Sequence, residues 1–181
     1  MSGGLERIVN LAEEHNADVV KFKNRSVQDS SELDKSSVSD TPMNIRITTG
    51  DGVLNRHDIS DYIVWDGIYR RTVIIENNIL FKTDLCLRED DTFMGMLYCH
   101  ANVVIATDLP LYRYVSASNY SSTHNQSVEK QRRLIISGLK AAQHRGHYVQ
   151  EHKPEVMQLE RLKYMRWVCT VRNAISAQLT L

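Results

Sequence analysis

The sequence predicts an α/β unit, a short mixed sheet flanked by helices, with two C-terminal helices. Three observations carry this. Leu5, Ile8, Val9 and Ala12 recur at helical spacing, and a β-branched and aromatic run, Ala17 to Phe22, follows at once. Further on, Phe93, Met96, Leu97 and His100 again keep helical spacing, ahead of a buried-strand run at Val103, Val104, Ile105 and Ala106. The last third of the chain shows helical patterning.

Taken in order, residues 3–16 read as an amphipathic helix with Asn16 as its stop. Residues 26–42 are rich in Ser and Asp and read as a surface loop. Asn44 to Thr48 alternates as an edge strand does, and Gly50-Asp51-Gly52 reads as its end, so 26–52 is taken as an insertion. Ile63, Val64, Trp65, Ile68 and Tyr69 form an apolar cluster, Thr72 to Asn78 a helical turn, and Phe81 an extended segment. A helix then spans 89–100, and two strands follow, at Ala101–Leu109 and Tyr112–Val115. Ser127 suits an N-cap with Glu129 in the first turn, and Leu134, Ile135, Leu139 and Ala142 supply that helix's apolar face. Pro154 suits the first turn of a last helix reaching about Gln178, lined by Leu162, Met165, Val168, Cys169 and Ile175.

Composition narrows the function classes. With 181 residues, 42% hydrophobic and 24% charged, the chain suits a soluble globular domain or part of a larger one. A formal net charge of zero gives no global attraction to nucleic acid or to an anionic membrane. No apolar run approaches the roughly 20 residues of a transmembrane helix. The start, Met1-Ser-Gly-Gly-Leu5, lacks a signal-peptide pattern. Cys86, Cys99 and Cys169 lie far apart, which predicts buried thiols in a reducing compartment. No transmembrane segment and no nucleic-acid partner are expected.

Glu89, Asp90 and Asp91 are the sharpest chemical feature. One reading is structural, since free N–H groups and the macrodipole favour acids at a helix start. The other is catalytic, with a carboxylate taking a proton as general base. Trp65-Asp66 has the same two sides: a core Trp with a loop Asp, or an aromatic wall on which a sugar stacks. Tyr112 and Tyr114 face one side of a strand, where they line a cleft or simply pack. Tyr69, Arg70 and Arg71 read as scaffold and solvated surface, and His100 as a boundary residue. His144, His147 and His152 have no Cys or Asp at ligand spacing, so no metal site is expected.

Trp65-x-x-Ile68-Tyr69-Arg70-Arg71, Phe81, Glu89-Asp90-x-x-Phe93 and Tyr112-x-Tyr114 occur together in that order. This constellation resembles the C-terminal half of glycosyltransferase family 2 proteins, sugar transferases of GT-A fold. The resemblance covers residues 4–125, with a helical extension at 126–181. It implies a partial GT-A-like unit in which Asp90 is the general base of an inverting transfer and Glu89 orients the acceptor. Trp65, Asp66, Tyr112 and Tyr114 would be substrate-binding. Arg113, Ser121, Ser122, Thr123 and His124 fall where the family has a loop near the donor diphosphate. The implied partners are a nucleotide sugar and a saccharide acceptor, in polysaccharide biosynthesis, with a homo-oligomer as a further expectation. The family's Asp-x-Asp, which holds magnesium or manganese, has no counterpart here, so no cofactor is expected in this chain. A hexosyltransferase fragment inactive alone is the first reading, in the cytoplasm or peripheral at the inner membrane face. A non-catalytic interaction or oligomerisation module derived from such an enzyme is the alternative.

Overall fold

The structure, a computed structural model, describes residues 2–27, 42–56, 59, 62–115 and 127–156, with Met165, Val168 and Cys169. Helix α1 (Ser2–Glu14) ends where Asn16 takes a left-handed φ of 49°, as a C-terminal stop should. Its buried stripe is Gly4, Ile8 and Leu11. Leu5 and Val9, expected on that stripe, are exposed instead. The helix packs through its smallest residue, which rotates the contact line by about one position.

Strand β1 (Val19–Val27) is longer than the predicted run and lies inside the sheet. Strand β2 (Ile45–Thr48) is the predicted edge strand. Gly50-Asp51-Gly52 does not simply end it. These residues open helix α2 (Gly50–Arg56), with the Thr49 hydroxyl accepting from Gly52 N at 3.1 Å. A Cβ on residue 50 would lie 1.8 Å from the Tyr98 carbonyl oxygen, so only glycine fits this approach. Strand β3 (Gly67–Tyr69) and helix α3 (Arg71–Glu76) follow. The expected apolar cluster thus contributes a strand, and the expected helical turn is α3.

Helix α4 (Glu89–Tyr98) is the predicted acidic-start helix, and Phe93, Met96 and Leu97 are buried as expected. The two strands predicted after it are one, β4 (Val104–Val115). The interruption legible around Pro110 is a pair of register shifts against β1 inside that continuous strand. Helix α5 (Val128–His152) starts at the predicted cap, where Ser127 Oγ accepts from Lys130 N at 3.2 Å. Its buried positions are Ser137, Gly138, Ala141, Arg145 and Val149. Leu139 is exposed and Leu134, Ile135 and Ala142 are only half-buried, which corrects the predicted apolar face. Small side chains let α5 come close to α4, where a Cβ on Gly95 would lie 2.8 Å from Arg145 Cγ. Pro154 opens a 3₁₀ turn (Pro154–Val156), and the last predicted helix lies largely outside the described residues.

The sheet runs β2-β4-β1-β3, with β1 and β4 parallel and the two outer strands antiparallel to their neighbours. It is a four-stranded mixed sheet with flanking helices, the α/β class the sequence predicts. One face takes α1 through Ile8, Leu11, Val20, Ile105 and Leu109. The other takes α2, α4 and α5 through Val19, Val104, Val53, Phe93, Leu97 and Val149. Among the described residues no helix is long and apolar enough to cross a membrane. Cys99 is buried, but Cys86 and Cys169 are exposed, against expectation. Cys86 sits in the loop before α4, where its N–H bonds Ser137 Oγ and its side chain points outward.

Candidate functional site

Alternation along β1 turns Val20 toward α1 and Val19 and Lys21 toward α4. Lys21 therefore ends in the interior, only 3% exposed. A buried ammonium needs a counter-charge and acceptors. Lys21 Nζ meets both the Asp66 carboxylate and the Ile63 carbonyl. Asp66 is itself buried, just ahead of β3. The pair thus clamps the four-residue loop Ile63–Asp66 at both ends.

The middle of that loop reaches two of the predicted site residues. Val64 N donates to Asp90 Oδ2 at 3.4 Å, a long hydrogen bond. Tyr69 Oη donates to Val64 O at 2.5 Å. Trp65 turns the other way and lies over two tyrosines of β4. Its ring centroid is 4.5 Å from that of Tyr112 and 5.5 Å from that of Tyr114, with the second pair stacked at 15°. Trp65 is half-buried, while Tyr112 and Tyr114 are exposed, so the three rings form a surface platform, not a core contact.

The three acids of α4 separate by direction. Asp91 is buried against α5, where Arg145 Nη1 donates to its carboxylate at 2.6 Å and to its backbone carbonyl at 2.9 Å. Arg88 also pairs with it, from an N-cap position held at a left-handed φ of 64°. Asp90 points instead toward Val64, and Glu89 is half-buried beside it. Burial pushes the Asp90 carboxyl above the usual carboxylate range, helped by the charges of Glu89 and Asp66 and opposed by the Val64 N–H and Lys21. Burial, then Asp66 and Asp90, raise the Tyr69 hydroxyl, which stays protonated and a donor. A carboxyl held half-buried with a raised proton affinity has the electrostatics of a general base.

The geometry therefore brings Asp90, Glu89, Asp66 and Trp65 around one loop, with Tyr112 and Tyr114 under the Trp ring. Lys21 is the residue that sequence reading passed over. Its signal was a lone cation inside Val19-Val20-Lys21-Phe22, a run otherwise apolar. Tyr69, read as scaffold, packs edge-on to Phe93 at 6.5 Å and puts its hydroxyl on the loop. Arg70 is held at the other side of β3, pairing with Asp18 at 2.9 Å. The Ser121–His124 segment lies outside the described residues.

Three of the histidines have structural partners. His144 Nε2 lies 3.2 Å from Asp84, His100 Nε2 lies 2.8 Å from Tyr148 Oη, and His152 stacks on Tyr148. Among the described residues no group of three or more His, Cys, Asp or Glu could hold a metal ion. The described residues therefore offer no donor set for magnesium or manganese.

Neither a protein-family model nor a curated protein sequence matches the chain. Among solved structures, S. aureus TarS residues 1–349 in complex with UDP superposes with a TM-score of 0.57 at 16% identity, over 89% of this chain and 41% of that one. The same TarS segment in complex with UDP-GlcNAc gives 0.46 at 15% identity, over 96% of this chain and 64% of that one. The chain thus spans less than two thirds of the length of the structures it matches. At this identity the likeness is one of fold alone.

Proposed function

We propose that the chain is the acceptor-side half of an inverting glycosyltransferase of family 2, with Asp90 as general base. Residues 1–125 are then the C-terminal half of the GT-A domain, with 26–52 inserted and 126–181 a helical extension. The single observation that carries this is the Ile63–Asp66 loop. It ties a carboxyl of raised proton affinity to an exposed aromatic platform through adjacent residues, Val64 and Trp65. Aromatic faces suit the apolar faces of sugar rings. An acceptor saccharide seated on Trp65, Tyr112 and Tyr114 would reach past Val64 to bring a hydroxyl to Asp90. Asp90 would take the hydroxyl proton as the oxygen attacks the anomeric carbon. The anomeric bond to the nucleoside diphosphate breaks, and that electron pair leaves with the diphosphate. Glu89 would orient the acceptor, and Asp66 would fix the loop.

The UDP in the TarS complex makes uridine diphosphate sugars the first donors to try. In a complete enzyme, at the cytoplasmic face, donor-side residues would hold magnesium or manganese, which would neutralise charge on the leaving diphosphate. By itself the chain should bind nucleotide sugar no tighter than roughly millimolar, with or without manganese. The decisive measurement is an NMR titration with a panel of neutral and charged oligosaccharides. The Trp65 indole and the Tyr112 and Tyr114 ring signals should move, and Trp65→Ala should abolish the response. A panel that leaves those signals unmoved sinks the proposal.

One observation favours the second reading, an interaction or oligomerisation module. The strand β2, outermost in the sheet among the described residues, exposes Ile45 and Ile47, 42% and 49% accessible, on one face. Light scattering across a concentration series discriminates. A dimer that Ile47→Lys dissociates would favour this reading, and a monomer at all concentrations would count against it.

A further inference from the structure

The Ile63–Asp66 loop is held at both ends and carries the site in its middle. A loop of this kind needs something to hold it, because its own backbone makes few ladder bonds. Phe22 N donates to Asp66 O at 2.9 Å, and Tyr69 Oη takes up Val64 O. Lys21 grips both ends at once, Ile63 O and the Asp66 carboxylate.

We propose that Lys21 is the positioning residue of this site, gripping the Ile63–Asp66 loop so that Val64 N–H meets Asp90 and Trp65 meets Tyr112 and Tyr114. The inference deepens the acceptor-side reading and rests on it for its functional meaning. Three features support it. Lys21 is buried, so its ammonium is placed at the cost of desolvation, which an apolar residue on the same strand face would avoid. Its two contacts lie on either side of the residues that carry the site. Its neighbours Val19 and Val20 belong to apolar clusters, so position 21 brings the charged contact to the loop from this stretch of β1. The charged and titratable groups around Asp90 are Glu89 on its own helix, Asp66 on the loop, Lys21 on β1 and Tyr69 on β3.

Lys21→Met alone would take the ammonium away from the buried Asp66 carboxylate and risks unfolding. The informative comparison is Asp66→Asn against the double variant Lys21→Met with Asp66→Asn. The first keeps the ammonium, its hold on Ile63 O and an amide oxygen at position 66 that still accepts from it. The second replaces the pair by two neutral groups of similar size, a change that folds often tolerate. Two NMR signals read the outcome without any sugar or nucleotide. The Val64 amide shift should follow the titration of Asp90, and the Tyr112 and Tyr114 ring protons should feel the Trp65 ring current. Both signatures are expected in the native chain and in Asp66→Asn. Both should be lost in the double variant, while the dispersed amides of α1 and α5 persist. A double variant that keeps both signatures overturns the proposal and leaves Lys21 as a filler. A native chain whose rings show these signatures but respond to no saccharide would sink the functional reading while leaving the clamp standing.

Discussion

The two faces of the sheet are packed by different chemistry. Toward α1 the contact is mainly apolar, Ile8 and Leu11 on Val20, Ile105 and Leu109, with the Asp18–Arg70 pair at its edge. Toward α4 and α5 the core is interrupted by two buried ion pairs, Lys21–Asp66 and Arg145–Asp91. An apolar contact is non-directional and tolerates small shifts, whereas a buried pair fixes angles and positions. The α1 face therefore serves cohesion, and the α4 face holds particular groups in particular places. Every candidate site residue lies on or beside that second face.

Breaking the Arg145–Asp91 pair should be the largest effect. Arg145→Ala leaves Asp91 buried with Arg88 as its remaining cationic partner, and should cost about 3–5 kcal/mol in urea unfolding. Asp91→Asn keeps an acceptor for the guanidinium and should cost about 1.5–3 kcal/mol. If both variants unfolded at the native midpoint, the pair would be ornamental and the contrast between faces would collapse.

On the opposite face, Ile8→Val removes one methylene from a fully buried contact. The expected loss is about 0.5–1.5 kcal/mol by the same measurement. A loss as large as that of Arg145→Ala would mean that the α1 face is as rigidly specified as the other.

Local signals were legible in the sequence, and long-range pairings were not. Asn16 stops α1, Ser127 caps α5 and Glu89 begins α4, each because the signal sits within a few residues of the event. The stripe of α1 was misplaced because periodicity counts large apolar residues, while this helix packs through Gly4. The buried face of α5 was missed for a related reason. Arg145 reads as surface until Asp91, 54 positions earlier, is known to lie opposite it. Lys21 hid in the same way, because its partner Asp66 is 45 positions away. Strand β4 was divided because its register shifts around Pro110 look like a turn. In the candidate site, the residue types Asp90, Trp65, Tyr112 and Tyr114 were legible. What joins them, the loop held by Lys21 and Tyr69, was not.

The smallest expected effect lies one residue from one of the largest. Asp90 and Asp91 are neighbours on α4, yet Asp91 faces α5 and Asp90 faces the loop. Asp90→Asn removes one negative charge from the helix start, a loss of about 0.3–1 kcal/mol, while Glu89 and Asp91 remain there. An opposing gain comes from titration. The folded-state proton affinity of Asp90 is raised, chiefly by burial. Between the ordinary carboxylate pKa and the raised one, the folded chain binds more protons than the unfolded chain. Stability from this group therefore falls as pH rises through that window, and the penalty persists above it. Asparagine does not ionise and escapes the penalty. The net change at neutral pH should be within about 0.5 kcal/mol, because the two contributions oppose. The sign of the pH trend is the sharper test. Unfolding midpoints compared across the acid range up to pH 7 should show Asp90→Asn gaining on the native chain as pH rises. A variant that instead loses ground with rising pH would show that the carboxylate is stabilised where it sits, and Asp90 would then be a helix-start acid like any other.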